Sequence, residues 1–132
     1  MTDDSSPDRA DVASLAAHYL ARARERAARE GAPSELVADV AELADLNART
    51  EALRAEIAAD AKRGPDADGM TIVGRYERGA RLLDLSAASS EVLARVAGDP
   101  EAAELWLVIA GAHREHAAET RKAAALIADA GA

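Results

Sequence analysis

Aromatic side chains are almost missing from this chain of 132 residues. They make up 2% of it, and the whole set is Tyr19, Tyr76 and Trp106, with no phenylalanine. The core must therefore be built from alanine, leucine, valine and isoleucine, so its elements have to approach one another closely. Ala-rich helices allow such an approach, whereas strands favour β-branched and aromatic residues. The chain is predicted to be all-α.

Glycine and proline divide the chain into four segments of similar length. The start and stop signals are Ser6-Pro7, Gly31, Pro33, Gly64-Pro65, Gly98 and Asp99-Pro100. They predict helices over roughly 7–30, 33–62, 70–97 and 100–129. Short links between helices 1 and 2 and between helices 3 and 4 predict an antiparallel up-down-up-down four-helix bundle. Residues 1–6 are expected to be a disordered tail, and residues 7–130 a single domain.

Charged side chains support antiparallel packing of helix 1 on helix 2. Folding helix 1 back on helix 2 about residue 32 would bring together Arg29 and Glu35, Arg26 and Asp39, and Arg22 and Glu42. Each such surface pair contributes at most about 1 kcal/mol, but all three agree on one register. The basic run RARERAAR is therefore predicted to be a paired, solvated face and not a phosphate- or membrane-binding patch.

The segment 70–85 allows two interpretations. Thr71, Ile72 and Val73 stand in a row, and Gly74 and Gly79 follow where a helix favours alanine, so a β-hairpin with its turn near ERGA is the alternative to a helix. Apolar residues at helical spacing favour the helix. They are Val73, Tyr76, Ala80, Leu83 and Ala87.

A second apolar face on helix 3 lies nearly opposite the first. Its residues are Leu82, Leu85, Val92, Leu93 and Val96. Two apolar faces require either a break near Ser86–Ser90 or a second partner, and we expect a partner, most simply a second copy of the chain. These residues are the predicted dimer interface.

Two histidines give helix 4 its most unusual feature. His113, His116 and Thr120 project into the apolar stripe that carries Trp106. Burying an unpaired imidazole costs roughly 1–3 kcal/mol, so each histidine needs partners. The other helices carry polar residues at a similar height, which predicts a mid-bundle polar layer. That candidate ligand-binding set is Tyr19, Asn47, Thr50, Glu51, Tyr76, His113, His116 and Thr120.

Three roles for the layer are open. It can be a hydrogen-bonded layer that sets helix register, which we favour, or a small-molecule pocket. It can also be a divalent-metal site in which His113 and His116 act with Glu51 or Asp84. The chain lacks the Glu-x-x-His pairs of di-iron bundles and the His-x-x-Glu-His zinc-protease pattern, so those two site types are disfavoured. No cofactor is expected.

Composition narrows the possible functions. A formal charge of −8 disfavours nucleic-acid binding, and the lack of cysteine excludes disulfides and cysteine-based zinc sites. The N-terminus has no signal-peptide pattern, and no apolar stretch approaches the roughly 18 residues of a membrane span. We therefore expect a soluble cytoplasmic protein that does not contact membranes.

No established catalytic motif stands in the chain. A phosphate-binding loop and a nucleophile elbow are both missing. Arg75, Arg78 and Arg81 share one side of helix 3 and could hold an anion, although pairing with Glu51, Glu56 and Glu119 is the more ordinary interpretation. The predicted function is a non-catalytic adaptor or regulatory bundle that binds a protein or a second copy of itself. The alternative is a small-molecule or metal-binding bundle, with or without enzymatic activity, whose site lies around His113 and His116.

Overall fold

The computed structural model describes residues 9–62 and 69–131, and these form four helices with no strand. The helices are α1 (Arg9–Ala27), α2 (Ser34–Ala61), α3 (Gly69–Val96) and α4 (Pro100–Ala130). The prediction of an all-α four-helix bundle is confirmed. The predicted tail over residues 1–6 and the signals Ser6-Pro7 and Gly64-Pro65 lie outside the described residues.

The third segment is one continuous helix. The β-hairpin alternative for residues 70–85 is wrong, and the helix does not break near Ser86–Ser90. Ser90 is buried, and its hydroxyl donates to the Ser86 carbonyl at 2.9 Å, so this polar group is satisfied within the helix. Burial along the helix outweighs the roughly 1 kcal/mol that each internal glycine costs relative to alanine.

Cross-helix ion pairs show that neighbouring helices run antiparallel. Between α2 and α3 the pairs are Asp39–Arg95 and Glu56–Arg78, each at 3.2 Å, and between α3 and α4 they are Asp84–Arg121 at 2.7 Å and Glu91–Arg114. From pair to pair the residue number rises in one helix and falls in the other. The predicted up-down order of α2, α3 and α4 follows from these pairs.

Helix α3 is the centre of the bundle. It packs against α1, α2 and α4, whereas among the described residues the backbone of α4 comes no closer than 8 Å, measured between Cα atoms, to that of α1 or α2. A helix packed on several sides needs more than one apolar face. The two faces of α3 are therefore explained by neighbours within the same chain.

Three of the five residues predicted to form a dimer interface are already buried within the single chain. Val92, Leu93 and Val96 are buried in the core of the single chain, and Leu85 packs against that core. Leu82 is half-buried as well. A second copy cannot contact the three buried residues unless the bundle opens.

Helices α3 and α4 share a seam of alanines and form the most extensive helix pair. Ala80 and Ala87 on α3 are fully buried, and Ala110, Ala117 and Ala124 on α4 are nearly so. The spacing of seven residues in both helices keeps the small side chains on one face, which allows the backbones to approach closely. This seven-residue repeat of alanines is visible in the sequence and indicates close packing of α3 on α4.

The hydrophobic core lies at the end of the bundle that carries the links 28–33 and 97–99. Trp106 is 1% exposed there, and the Tyr19 ring meets it edge to face with 6.1 Å between centroids. The buried residues of this cluster are Ala23, Leu36, Leu43, Leu46, Val92, Leu93, Val96, Ala97, Ala102 and Trp106. All four helices contribute to it.

The three ion pairs predicted between α1 and α2 do not form. Arg95 of α3 instead binds Asp39 at 3.2 Å and Glu42 at 2.9 Å. Arg26 donates to the carbonyl oxygen of Val96 at 2.9 Å. Val96 is the last residue of α3, where carbonyl groups lack partners within the helix, so this hydrogen bond satisfies one of them. Of the six residues in the predicted pairs, Arg26, Asp39 and Glu42 therefore bind the central helix α3 and not each other.

The turns before α2 and α4 use glycine in the left-handed region. Gly31 has φ 77° and Gly98 has φ 81°, as expected for residues that end a helix. Asp99 then caps α4, because its carboxylate accepts from the backbone N–H of Glu101 at 2.9 Å and of Ala102 at 3.2 Å. The predicted boundary between α3 and α4 is confirmed.

Two glycine substitutions should have opposite effects on stability. Gly98→Ala should lower the free energy of unfolding by about 1 kcal/mol or more, because a side chain strains the positive φ and its Cβ would lie 3.4 Å from Nη1 of Arg26. Gly111→Ala should raise it by about 0.5–1 kcal/mol, since Gly111 is inside α4 with nothing within 4 Å of an added Cβ. Urea unfolding of both variants measures this, and equal effects would contradict the assigned backbone conformations.

Candidate functional site

The structure places the predicted site residues of α4 at different depths. His113 and Thr120 are half-buried, but His116 is exposed. Helix α3 covers the side of α4 that carries Ala110 and Ala117, and no other helix among the described residues brings its backbone close to α4. The prediction that His116 faces the core is wrong, because its edge of the apolar stripe has no helix packed against it.

The two threonines of the predicted layer bond to their own helices. The hydroxyl of Thr50 donates to the carbonyl of Leu46, and that of Thr120 to the carbonyl of His116, both at 2.8 Å. Such bonds to the residue four positions earlier are the usual fate of a hydroxyl within a helix. Neither threonine therefore has its hydroxyl bonded to a neighbouring helix.

The other members of the set do not converge either. Asn47 and Glu51 are exposed, and Glu51 accepts from Arg54 one turn away at 3.4 Å. Tyr76 is exposed, while Tyr19 packs against Trp106 in the core. The predicted polar layer across the bundle is not assembled among the described residues. The buried side of α2 carries leucines instead. Most of these leucines pack in the hydrophobic core, to which α1, α3 and α4 also contribute.

The predicted metal ligands are also not brought together. No group of three His, Asp or Glu side chains that could hold a metal ion occurs in residues 9–62 and 69–131. Asp84 is engaged by Arg121 at 2.7 Å. Glu51 lies with Arg54 on the exposed side of α2. The described residues thus offer His113 and His116 neither of their two proposed carboxylate partners.

His113 keeps one feature of a functional histidine. Its Nδ1 is buried without a hydrogen-bond partner, and Nε1 of Trp106 is the other such atom among the described side chains. Burial first, and the neighbouring His116 second, lower the pKa of His113. The structure therefore favours a neutral imidazole at this position.

Protonation of His113 should destabilise the protein. Because its pKa is lowered in the folded state, the unfolded chain binds the proton more readily, and stability falls as the pH drops below the ordinary value of about 6.5 toward the lowered one. Urea unfolding at about pH 7.5 and about pH 5.5 should show a smaller loss for His113→Gln than for the wild type. An unchanged loss in His113→Gln would contradict this assignment.

The outer side of α4 carries apolar residues that the sequence analysis did not single out. Leu107 is 55% exposed and Val108 63% exposed. Leu107 also lines an open cleft of about 440 Å³ between α3 and α4, together with Ala94, Ala103, Glu91 and Arg95. A helical projection of the sequence could have identified Leu107 and Val108 as exposed, because both project away from the apolar stripe that contains Trp106.

A second open cleft lies between α2 and α3. Its volume is about 430 Å³, and its lining residues are Arg49, Ala52, Leu53, Glu56, Arg81, Asp84 and Leu85. It combines an apolar floor with charged side chains. Three residues singled out from the sequence line it: the predicted metal ligand Asp84, Leu85 of the predicted interface, and Arg81 of the arginine group on α3.

No protein-family model, curated protein or solved structure matches this chain. Within the part of the chain that the structure describes, none of the helices has the length and apolar character needed to cross a membrane.

Proposed function

We propose that the chain is a non-catalytic, cytoplasmic adaptor or regulatory bundle that binds a basic protein surface through the outer side of α4. The observation that carries this proposal is the adjacent exposed pair Leu107 and Val108. Isolated exposed apolar residues are normal on protein surfaces. An adjacent pair that continues into an apolar cleft is a better candidate for a binding surface.

The charges around this pair favour a basic partner. Glu101, Glu104 and Glu115 project to the same outer side of α4 as Val108. None of the three glutamates has an ion pair among the described residues. An apolar centre surrounded by uncompensated acidic groups is complementary to an apolar anchor with basic neighbours. The chain as a whole carries a formal charge of −8, which also favours encounter with basic surfaces.

A paired comparison of variants tests the surface. Leu107→Ser combined with Val108→Ser removes the proposed anchor site, while Leu126→Ser removes a residue of the same chemistry, 70% exposed, further along α4. Immobilised wild type and variants are used to capture proteins from cell extract, and each candidate is then purified and its affinity measured. We expect a protein with a basic surface to bind the wild type and Leu126→Ser equally and the double variant at least about tenfold more weakly.

Two results would overturn the proposal. One is that no purified candidate distinguishes the double variant from the wild type. The other is that sedimentation shows the wild type to dimerise and the double variant to be monomeric, because the occupant of the surface would then be a second copy of the chain.

A further inference from the structure

We propose that the cleft between α2 and α3 binds a small organic anion, with a carboxylate or phosphate group held by Arg49 and Arg81 and a short apolar body on Leu53 and Leu85. These four residues line one open cleft of about 430 Å³. This site is separate from the outer side of α4 and does not depend on the protein-binding role.

Three arginines spaced three residues apart on α3 differ in their ion pairing. Arg75 binds the buried Asp60 at 2.8 Å, and Arg78 binds Glu56 at 3.2 Å and Asp60 at 3.6 Å. Arg81, the third arginine of this spacing, is exposed and has no ion pair among the described residues. The arginine that borders the cleft is therefore the one whose charge is left uncompensated.

Arg49 supplies a second donor from the opposite wall. Its one ion pair in the described residues is with Asp45 at 3.8 Å, and both side chains are more than half exposed. Exposed pairs of this kind contribute little and exchange readily with other partners. The fork-shaped guanidinium groups of both arginines match the oxygens of a carboxylate or a phosphate.

The carboxylates of the cleft do not cancel these donors. Glu56 accepts from Arg78 at 3.2 Å, and Asp84 accepts from Arg121 at 2.7 Å. Neither Arg78 nor Arg121 lines the cleft. Because both carboxylates are engaged by arginines outside the cleft, an anion that enters it meets less repulsion than the lining alone would suggest.

The apolar floor of the cleft indicates the second part of the ligand, its short hydrocarbon body. Of its lining residues, Leu53 is buried and Leu85 half-buried, whereas Arg49 and Arg81 are exposed, so the two leucines form the floor. Pockets of this volume hold small organic molecules. An inorganic anion would leave the apolar floor in water, and a neutral apolar molecule would leave the guanidinium group of Arg81 without an ion-pair partner among the described residues. An anion with a short hydrocarbon body satisfies both parts of the cleft.

Nuclear magnetic resonance titration tests this site with four probes. Hexanoate and hexyl phosphate carry both parts of the proposed ligand, 1-hexanol carries the apolar part alone, and inorganic phosphate the anionic part alone. The methyl signals of Leu53 and Leu85 report on the floor, and the Nε–H signals of Arg49 and Arg81 on the donors. We expect saturable shifts of both sets of signals with hexanoate or hexyl phosphate. Whichever of these two probes binds with the higher affinity identifies the anionic group that the site prefers.

A matched pair of variants makes the test specific. Arg81→Gln should weaken binding of the anionic probe about tenfold, because it removes a charge-assisted hydrogen bond at an exposed position. Arg54→Gln, an exposed arginine of α2 outside the cleft, should leave the affinity unchanged. The proposal is overturned if neither anionic probe gives saturable shifts at millimolar concentration, if 1-hexanol or inorganic phosphate binds equally well, or if both variants weaken binding alike.

Discussion

Trp106→Ala is expected to lower the free energy of unfolding by about 3–5 kcal/mol, the usual cost of emptying a buried aromatic position. Trp106 is 1% exposed and is the largest fully buried side chain described. Side chains from all four helices meet in its cluster, and the Tyr19 ring rests on it. Because the backbones of α1 and α4 stay apart throughout the described residues, the packing of Tyr19 on Trp106 is part of what holds these two helices together. Loss of the indole should therefore also loosen α1.

Urea unfolding followed by circular dichroism measures this loss, with Trp106→Phe as the matched control. Phenylalanine retains much of the buried area and removes Nε1, which is buried without a hydrogen-bond partner. Its loss of stability should be clearly smaller than that of alanine. A cost below about 1 kcal/mol for Trp106→Ala would contradict the position of the core.

Ala117→Leu should be the next most destabilising change, with a loss of about 2–3 kcal/mol. Ala117 is 1% exposed and belongs to the alanine seam between α3 and α4. A longer side chain at this position must push the two backbones apart or adopt a strained rotamer. Since the packing of α3 on α4 is the most extensive in the bundle, separating these helices affects much of the structure.

The neighbouring position provides the control for the seam. Ala118 lies on the same helix and is exposed, so Ala118→Leu changes the same residue type without meeting α3. Its effect should stay within about 0.5 kcal/mol, because leucine is also a good helix former. Equal losses for Ala117→Leu and Ala118→Leu would mean that α3 and α4 are not closely packed at this point.

Part of the candidate site could be read from the sequence. The projection of α4 correctly indicated that His113 is partly buried, and its pKa is lowered by that burial. It was wrong for His116, which lies on an uncovered flank. The difference between them is not in their residue type or spacing, but in whether a neighbouring helix stands beside them.

The same distinction explains the exposed surfaces. Leu107 and Val108 are as apolar as Leu36 or Leu43, yet they lie on the outer side of α4. Arg81 resembles Arg75 and Arg78 in sequence, yet Asp60 and Glu56 are placed to bind the latter two. Pairing partners on another helix depend on register, which the spacing within a single helix does not specify.

The sequence by itself determined the four helices, most of their boundaries and the α3–α4 link. Those features depend on local energetics: helix propensity, glycine at positive φ, and the Asp99 cap with proline after it. Tertiary structure decided which faces are covered. It placed α3 in the centre, so that Val92, Leu93 and Val96 became core and not an interface, and it left the flank of His116 open. The physical reason is that periodicity along a helix gives the direction of each side chain, whereas burial depends on what the rest of the chain packs in that direction.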